Sequence, residues 1–181
     1  REEQDVRQLV NLVQMGDGAA AIIVGPNDEK SGARLSCNFF GQIGLDRSPG
    51  LSLAAGGSDM PFVETGMLEF AHDCKAVRAS APQLFEHGVA MARELGTPTD
   101  SVDWVIPHQA NGRIAELLGP YFGIESKRIF VNADRVGNTG SAAIWLALAE
   151  LRSNLAPGAS VLALGAEATK YMFGGFTYIH A

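Results

Sequence analysis

Residues 139–151 form a helix-length run that is small or apolar on nearly every side: Ala142, Ala143, Ile144, Trp145, Leu146, Ala147, Leu148 and Ala149 follow one another without a polar break. A helix with no polar face is expected to be covered all round, as a layer between two sheets rather than a strut on the outside of one. The neighbouring segments supply a sheet. Strands are expected at 101–106, 128–131 and 160–164, separated by helices at 111–122, ended or interrupted near Pro120, and 139–151. This β-α-β-α-β alternation implies a mixed, largely parallel sheet. Further strands are expected at 19–24, a buried run needing neighbours on both faces, at 33–40 and at 176–179. A helix is expected at 80–95, closed by Gly96, and mostly loop at 41–66. Only one sheet is convincingly encoded, so the second has to come from another segment or subunit.

With 181 residues, 46% of them hydrophobic, the chain suits one substantial core. A net charge of −6 argues against a nucleic-acid groove, which needs a dense basic face. No run is long enough to span a membrane, the opening Arg1-Glu2-Glu3-Gln4-Asp5 is unlike a secretion signal, and Cys37 and Cys74 alone do not make a stapled secreted scaffold. A cytoplasmic enzyme without nucleic-acid or membrane partners is therefore expected. The start at Arg1 suggests that the natural beginning lies elsewhere. No metal-ligand spacing is present, and Gly16-Asp17-Gly18 lacks the lysine of a phosphate loop, so it reads as a tight turn.

The chemistry concentrates in two motifs, Val105-Ile106-Pro107-His108-Gln109-Ala110-Asn111 and Gly137-Asn138-Thr139-Gly140, each read as a place where a strand gives way to a helix. An imidazole and a carboxamide aimed at one point can donate hydrogen bonds to an oxygen that becomes negative during reaction. The plainer readings are a satisfied core histidine and a helix-capping asparagine. Such a pair normally serves a covalent nucleophile. Neither Cys37, inside an expected strand, nor Cys74, beside charges, has the helix-start setting that activates a thiol. His87 and His180 read as a helix-face and a tail residue.

The order of Gly16-Asp17-Gly18-Ala19-Ala20-Ala21, Pro107-His108-Gln109-Ala110-Asn111-Gly112-Arg113-Ile114, Gly137-Asn138-Thr139-Gly140-Ser141-Ala142-Ala143 and Gly174-Gly175-Phe176-Thr177 resembles the second half of a β-ketoacyl-acyl-carrier-protein synthase III. The resemblance implies an α/β, thiolase-like fold: the C-terminal half of a layered αβαβα architecture whose two halves share a central helical layer. Residues 1–25 would close the N-terminal half and residues 26–181 form the C-terminal one.

It also implies decarboxylative Claisen condensation of an acyl thioester with a malonyl thioester, in fatty acid or polyketide-type biosynthesis. His108 and Asn138 would be catalytic, with the nucleophilic cysteine on a separate or missing N-terminal half. A backbone amide of a turn at Gly174 would belong to the oxyanion hole. Asn111, Arg113 and, more atypically, His72 would meet the substrate or its carrier. Acyl-coenzyme A and a malonyl thioester on coenzyme A or acyl carrier protein would be substrates, with no tightly bound cofactor, and two-half units would pair as dimers. Phe173 stands where relatives often carry a third glycine, and 166–172 is unlike their usual approach to it. The alternatives are acyl transfer without decarboxylation, and a non-catalytic companion subunit of a heteromeric ketosynthase.

Overall fold

The computed structural model describes residues 13–26, 32–53 and 70–181. Its centre is a four-stranded sheet in the order β1 (Arg34–Gln42), β6 (Met172–Ile179), β5 (Ser160–Glu167) and β4 (Trp104–Pro107). A two-stranded ribbon of β2 (Leu51–Leu53) and β3 (Phe70–His72) stands apart from it. The sheet is mixed. β4 and β5 run parallel, joined by helical connections, whereas β6 folds back on β5 as a hairpin and β1 adds antiparallel to β6. The parallel character is thus confined to the side of the sheet that carries the crossovers.

Side-chain alternation assigns the two faces. Val105, Leu162 and Leu164 meet Phe85 and Ala92 of α1 (Cys74–Glu94) and Ile114, Leu118 and Phe122 of α2 (Ile114–Phe122). Ile106, Val161 and Tyr178 meet Ala147, Leu148 and Leu151 of α4 (Ala143–Arg152). Each fully buried side chain of this size contributes about 1.5–3 kcal/mol, so both helical layers are held mainly by apolar burial.

α1 begins six residues before the expected start, because the Asp73 carboxylate accepts the Ala76 N–H at 2.9 Å and caps a polar first turn that carries no apolar period. α2 starts at Ile114 instead of residue 111 and runs through Pro120 to Phe122, where Gly123 closes it with φ 65°. The strand expected at 128–131 is reduced to a single parallel bridge between Ile129 and Val105, preceded by the 3₁₀ turn Ser126–Arg128.

Two expectations are corrected in ways that bear on function. The run at 19–24 is not a buried strand; it has no ladder partner among the described residues, and Ile23 is 101% exposed. The apolar segment at 139–151 begins with a 3₁₀ turn, Gly140–Ala142, and α4 is not covered on every side. Ala143, Ala147, Leu148 and Leu151 are buried against the sheet, while Trp145 and Leu146 are half-buried and Ala149 is exposed. Both segments have the composition of buried structure, and among the described residues neither has a second surface that buries it.

Candidate active site

The ladder between β4 and β5 continues one step beyond the strand, with the His108 N–H donating to the Leu164 carbonyl at 2.7 Å. Ile106 lies on the α4 face of the sheet, so His108, two residues on, falls on the same face. Across the sheet from it lie Gly165 and then Gly174, paired in the β5–β6 register, and then Phe40 of β1, paired with Gly174. This row places an imidazole at one end of a strip with no side chains, bounded by a phenylalanine that is 84% exposed. Above the strip sits α4, whose Ile144 Cδ1 would be 3.8 Å from a Cβ on Gly165.

Gly174 is therefore not in a turn preceding the last strand, as its sequence suggests. It lies inside β6, flanked by β1 and β5, and its peptide group lies in the plane of the sheet between two neighbours. Two glycines in a row read as a break because they weaken a strand; here they clear its surface. A Cβ on Gly175 would come within 2.5 Å of the Ala163 carbonyl oxygen, which keeps the hairpin tight only with glycine there.

Asn138 is reached by another route than a strand end. It follows α3 (Ala133–Val136) and Gly137, whose φ of 72° turns the chain, and it forms a parallel bridge with Met15. Gln14 ties it to the histidine loop: the Gln14 carbonyl accepts the Asn138 N–H at 2.9 Å, and the Gln14 side-chain amide donates to the Ala110 carbonyl at 2.9 Å. Ala110 in turn donates its N–H to His108 at 3.0 Å. One glutamine thus spans the backbones that carry the two candidate groups.

The Asn138 side chain is oriented as well. Its Oδ1 accepts the Gly140 N–H at 3.0 Å, which fixes the amide so that Nδ2 has no acceptor among the described residues. The cap and the free donor are two ends of one group.

Gln109, to which the sequence reading gave no role, is fully buried and holds the loop from below. It donates to the Pro107 and Phe130 carbonyls at 2.8 and 3.1 Å and accepts the Asn132 N–H at 2.9 Å. Asn132 continues the brace through Glu150 of α4, which also binds Arg135. Buried amides are kept when all their valences are used. The signal was available, since a glutamine between a candidate catalytic histidine and a small residue has either to face water or to find several backbone partners.

Burial holds the His108 imidazole below the ordinary histidine value, partly offset by the negative charge of Glu167. It is neutral at physiological pH, a donor that does not trap an anion. A lowered value in the fold means that the unfolded chain takes up the proton first on acidification. Stability is therefore full above the ordinary histidine value and is lost as pH falls towards the His108 value. Urea unfolding of the chain at pH values from about 7.5 down to about 5 is expected to show this loss, and His108→Gln is expected to flatten it. Equal acid sensitivity in both proteins would assign the loss to other groups.

The remaining site expectations divide. Asn111 is exposed, and its Oδ1 accepts the Arg113 N–H at 2.9 Å, forming the turn that launches α2. The Arg113 side chain is 82% exposed and paired with Glu116 at 3.0 Å, on the same connection as His108. His72 is at the end of β3, opposite Leu51 in the two-stranded ribbon and next to the α1 cap. It is not joined to the His108 and Asn138 loops by any of the bonds that join those two.

Cys74 corrects the sequence reading, being the first residue of α1. That helix is a surface one, and its cap is the Asp73 carboxylate, unlike the buried central helix expected to carry the nucleophile. Cys37 sits in a bulge of β1 with φ 50°, its sulfur between Thr97 and the Leu95 carbonyl. Among the described residues, no three His, Cys, Asp or Glu side chains are grouped to hold a metal, and no helix is long and apolar enough to cross a membrane.

Residues 92–175, which contain the histidine loop, the Asn138 turn and most of the β5–β6 hairpin, match the family described as 3-oxoacyl-[acyl-carrier-protein] synthase III, C terminal. The chain is a C-terminal domain of this ketosynthase III family. It is 36% identical over 178 residues to a β-ketoacyl-[acyl-carrier-protein] synthase III of Oleidesulfovibrio alaskensis, covering 92% of this chain and 51% of that protein. The enzyme of the same name from Roseiflexus castenholzii is 38% identical over 146 residues, covering 76% and 42%.

Among solved structures, a tetronic acid condensing enzyme superposes with a TM-score of 0.70 at 27% identity, covering 85% of this chain and 47% of its own. The synthase III of Pseudomonas aeruginosa gives 0.66 at 25%, covering 81% and 44%. The ketosynthase III domain is thus thiolase-like, and the chain spans about half the length of the curated relatives it matches.

Proposed function

We propose that this chain supplies the electrostatic half of a decarboxylative condensing site. His108 and the free Nδ2 of Asn138 would donate to the thioester oxygen of a malonyl unit. As the carboxylate leaves as carbon dioxide, the electron pair of the broken C–C bond moves into the enolate and its charge onto that oxygen. The enolate carbon then attacks an acyl thioester on a cysteine, forming the new C–C bond and expelling the thiolate. The observation that carries this reading is a neutral, half-buried imidazole at the head of a side-chain-free strip, linked through Gln14 to an amide whose NH₂ is uncommitted among the described residues.

The cysteine would come from an N-terminal half, to which residues 1–25 belong. Apolar surface near the site supports such a covering: Phe40 at the end of the glycine strip, Met15 and Val136 beside Asn138, Ile22 to Val24, and the outer side of α4 are left open. Acyl-coenzyme A would load the cysteine. Arg113, Asn111 and His72 would face the pantetheine arm or its acyl carrier protein, and complete units would pair as dimers in the cytoplasm. The product class is a β-ketoacyl thioester of fatty acid or polyketide-type biosynthesis.

The test is to incubate the complete, intact protein with acyl-coenzyme A, look by mass spectrometry for an acyl group on a cysteine outside residues 1–181, and then supply a malonyl thioester and measure carbon dioxide. Acylation followed by decarboxylation is expected. Acylation without decarboxylation would replace the reading with acyl transfer to another nucleophile, and neither would make the chain a companion subunit.

A further inference from the structure

The β5–β6 hairpin carries a carboxylate with no part in the condensing site described so far. Glu167 ends β5, and its Oε1 accepts the Thr169 N–H at 2.7 Å and the Thr169 hydroxyl, while Oε2 faces the Lys170 N–H at 3.4 Å. The hairpin is itself pinned. Gly50 donates to the Ala168 carbonyl at 3.1 Å, Ile43 donates to the Tyr171 carbonyl at 3.0 Å, and Arg47 lies over the Tyr171 ring at 5.5 Å. An exposed glutamate usually samples several rotamers; this one is held by its own turn on a braced support.

Its direction follows from the strand. Residues two apart point to the same face, so Glu167 shares the α4 face with Gly165. Gly165 is the position beside His108, one step beyond the Pro107–Leu164 pair. Positions 108 and 167 are therefore diagonal neighbours on adjacent parallel strands, roughly 8 Å apart at the backbone for a strand spacing of about 4.8 Å and a rise of about 3.3 Å per residue. Position 165, beside 108 and two residues before 167, has no side chain.

From this geometry we infer that Glu167 is a positioning residue for His108: a fixed anion one diagonal step away on the same face of the sheet, whose charge acts on the imidazole and helps to set the pH range in which it serves as a neutral donor. The inference rests on the functional reading only for the word donor; the coupling itself is a property of this chain. Other charged groups on the elements around His108 are committed elsewhere. Arg113 pairs with Glu116, and Arg135 lies between Asp134 and Glu150. Lys170, on the same hairpin, is exposed. Glu167 is the charge felt at His108, opposing the effect of burial.

The experiment is an NMR titration of the histidine ring resonances in the intact protein carrying this chain labelled, with His108 assigned by its disappearance in His108→Gln. Glu167→Gln keeps an acceptor for Thr169 and so preserves the hairpin, but removes the charge. The His108 midpoint is expected to move further down in Glu167→Gln, to be largely restored in Glu167→Asp, and to respond less to Glu167 at about 1 M salt, where screening is short-ranged. The acid limb of the decarboxylation rate should move in the same direction with its plateau kept. An unchanged His108 midpoint in Glu167→Gln would overturn the inference. A shifted midpoint with an unshifted rate profile would keep the coupling and refute instead the role of His108 in turnover.

Discussion

Replacing Asn138 by alanine is expected to slow malonyl-thioester decarboxylation by about 10²–10³-fold while acylation of the nucleophilic cysteine proceeds, because one preorganised donor to a developing oxyanion is worth that much. The substitution also removes the acceptor for the Gly140 N–H, so alanine alone does not separate catalysis from capping. Asn138→Asp does. Aspartate retains an oxygen for Gly140 and is as good a cap as asparagine, but it puts a second, anionic oxygen where Nδ2 was. If Asn138 is only a cap, the aspartate variant should be close to wild type. If it is the donor, that variant should be at least as impaired as alanine, since a negative charge would face the forming enolate. His108→Ala is expected to fall in the same range, and the double variant to lose less than the product of the two, as groups that act on one oxygen are not independent. Full decarboxylation in Asn138→Asp would end the assignment.

This division between cap and donor shows why the candidate site could be picked out in the chain and its geometry could not. His108 and Asn138 declare themselves because histidine after proline at a strand end, and asparagine directly after a glycine, are expensive choices for a core. Their supports are silent. Gln14 and Gln109 do their work through backbone carbonyls, to which a sequence gives no address, and Gly165 matters by having no side chain at all.

The fold shows the same split. The expected strands at 33–40, 101–106 and 160–164 overlap β1, β4 and β5 because short apolar stretches recur there, β-branched in the last two and ending in Phe39-Phe40 in the first. The last strand was underestimated, since Gly174-Gly175 punctuates a sequence and only a neighbouring strand shows that it continues. The run at 19–24 and the outer side of α4 fail in the opposite sense. Their composition describes a buried environment that the described residues do not complete, so pattern and exposure disagree there.

Gln109→Leu is expected to destabilise the chain by about 2–4 kcal/mol, read as a lower urea midpoint with an unchanged denaturant slope. Leucine is close in size, so the cost is polar rather than steric. The Asn132 N–H, on a residue only 2% exposed, loses its acceptor, and the Pro107 and Phe130 carbonyls lose a donor in a region that excludes water. Each orphaned buried group costs about 1–3 kcal/mol, and relaxation of the loop recovers part of it. The consequence reaches function because Pro107 precedes His108, and 130–132 leads through α3 to Asn138. Freed from their common clamp, the two donors no longer have fixed positions, and the folded fraction should lose turnover as well as stability. Gln109→Glu separates the two ends of the amide: it keeps the acceptor for Asn132 but offers two carbonyls a buried carboxylate, and it should be worse than leucine at neutral pH and improve on acidification as that carboxylate protonates. A leucine variant within about 0.5 kcal/mol of wild type would mean that the ladder bond of His108 and the Gln14 bond to Ala110 hold the loop without it.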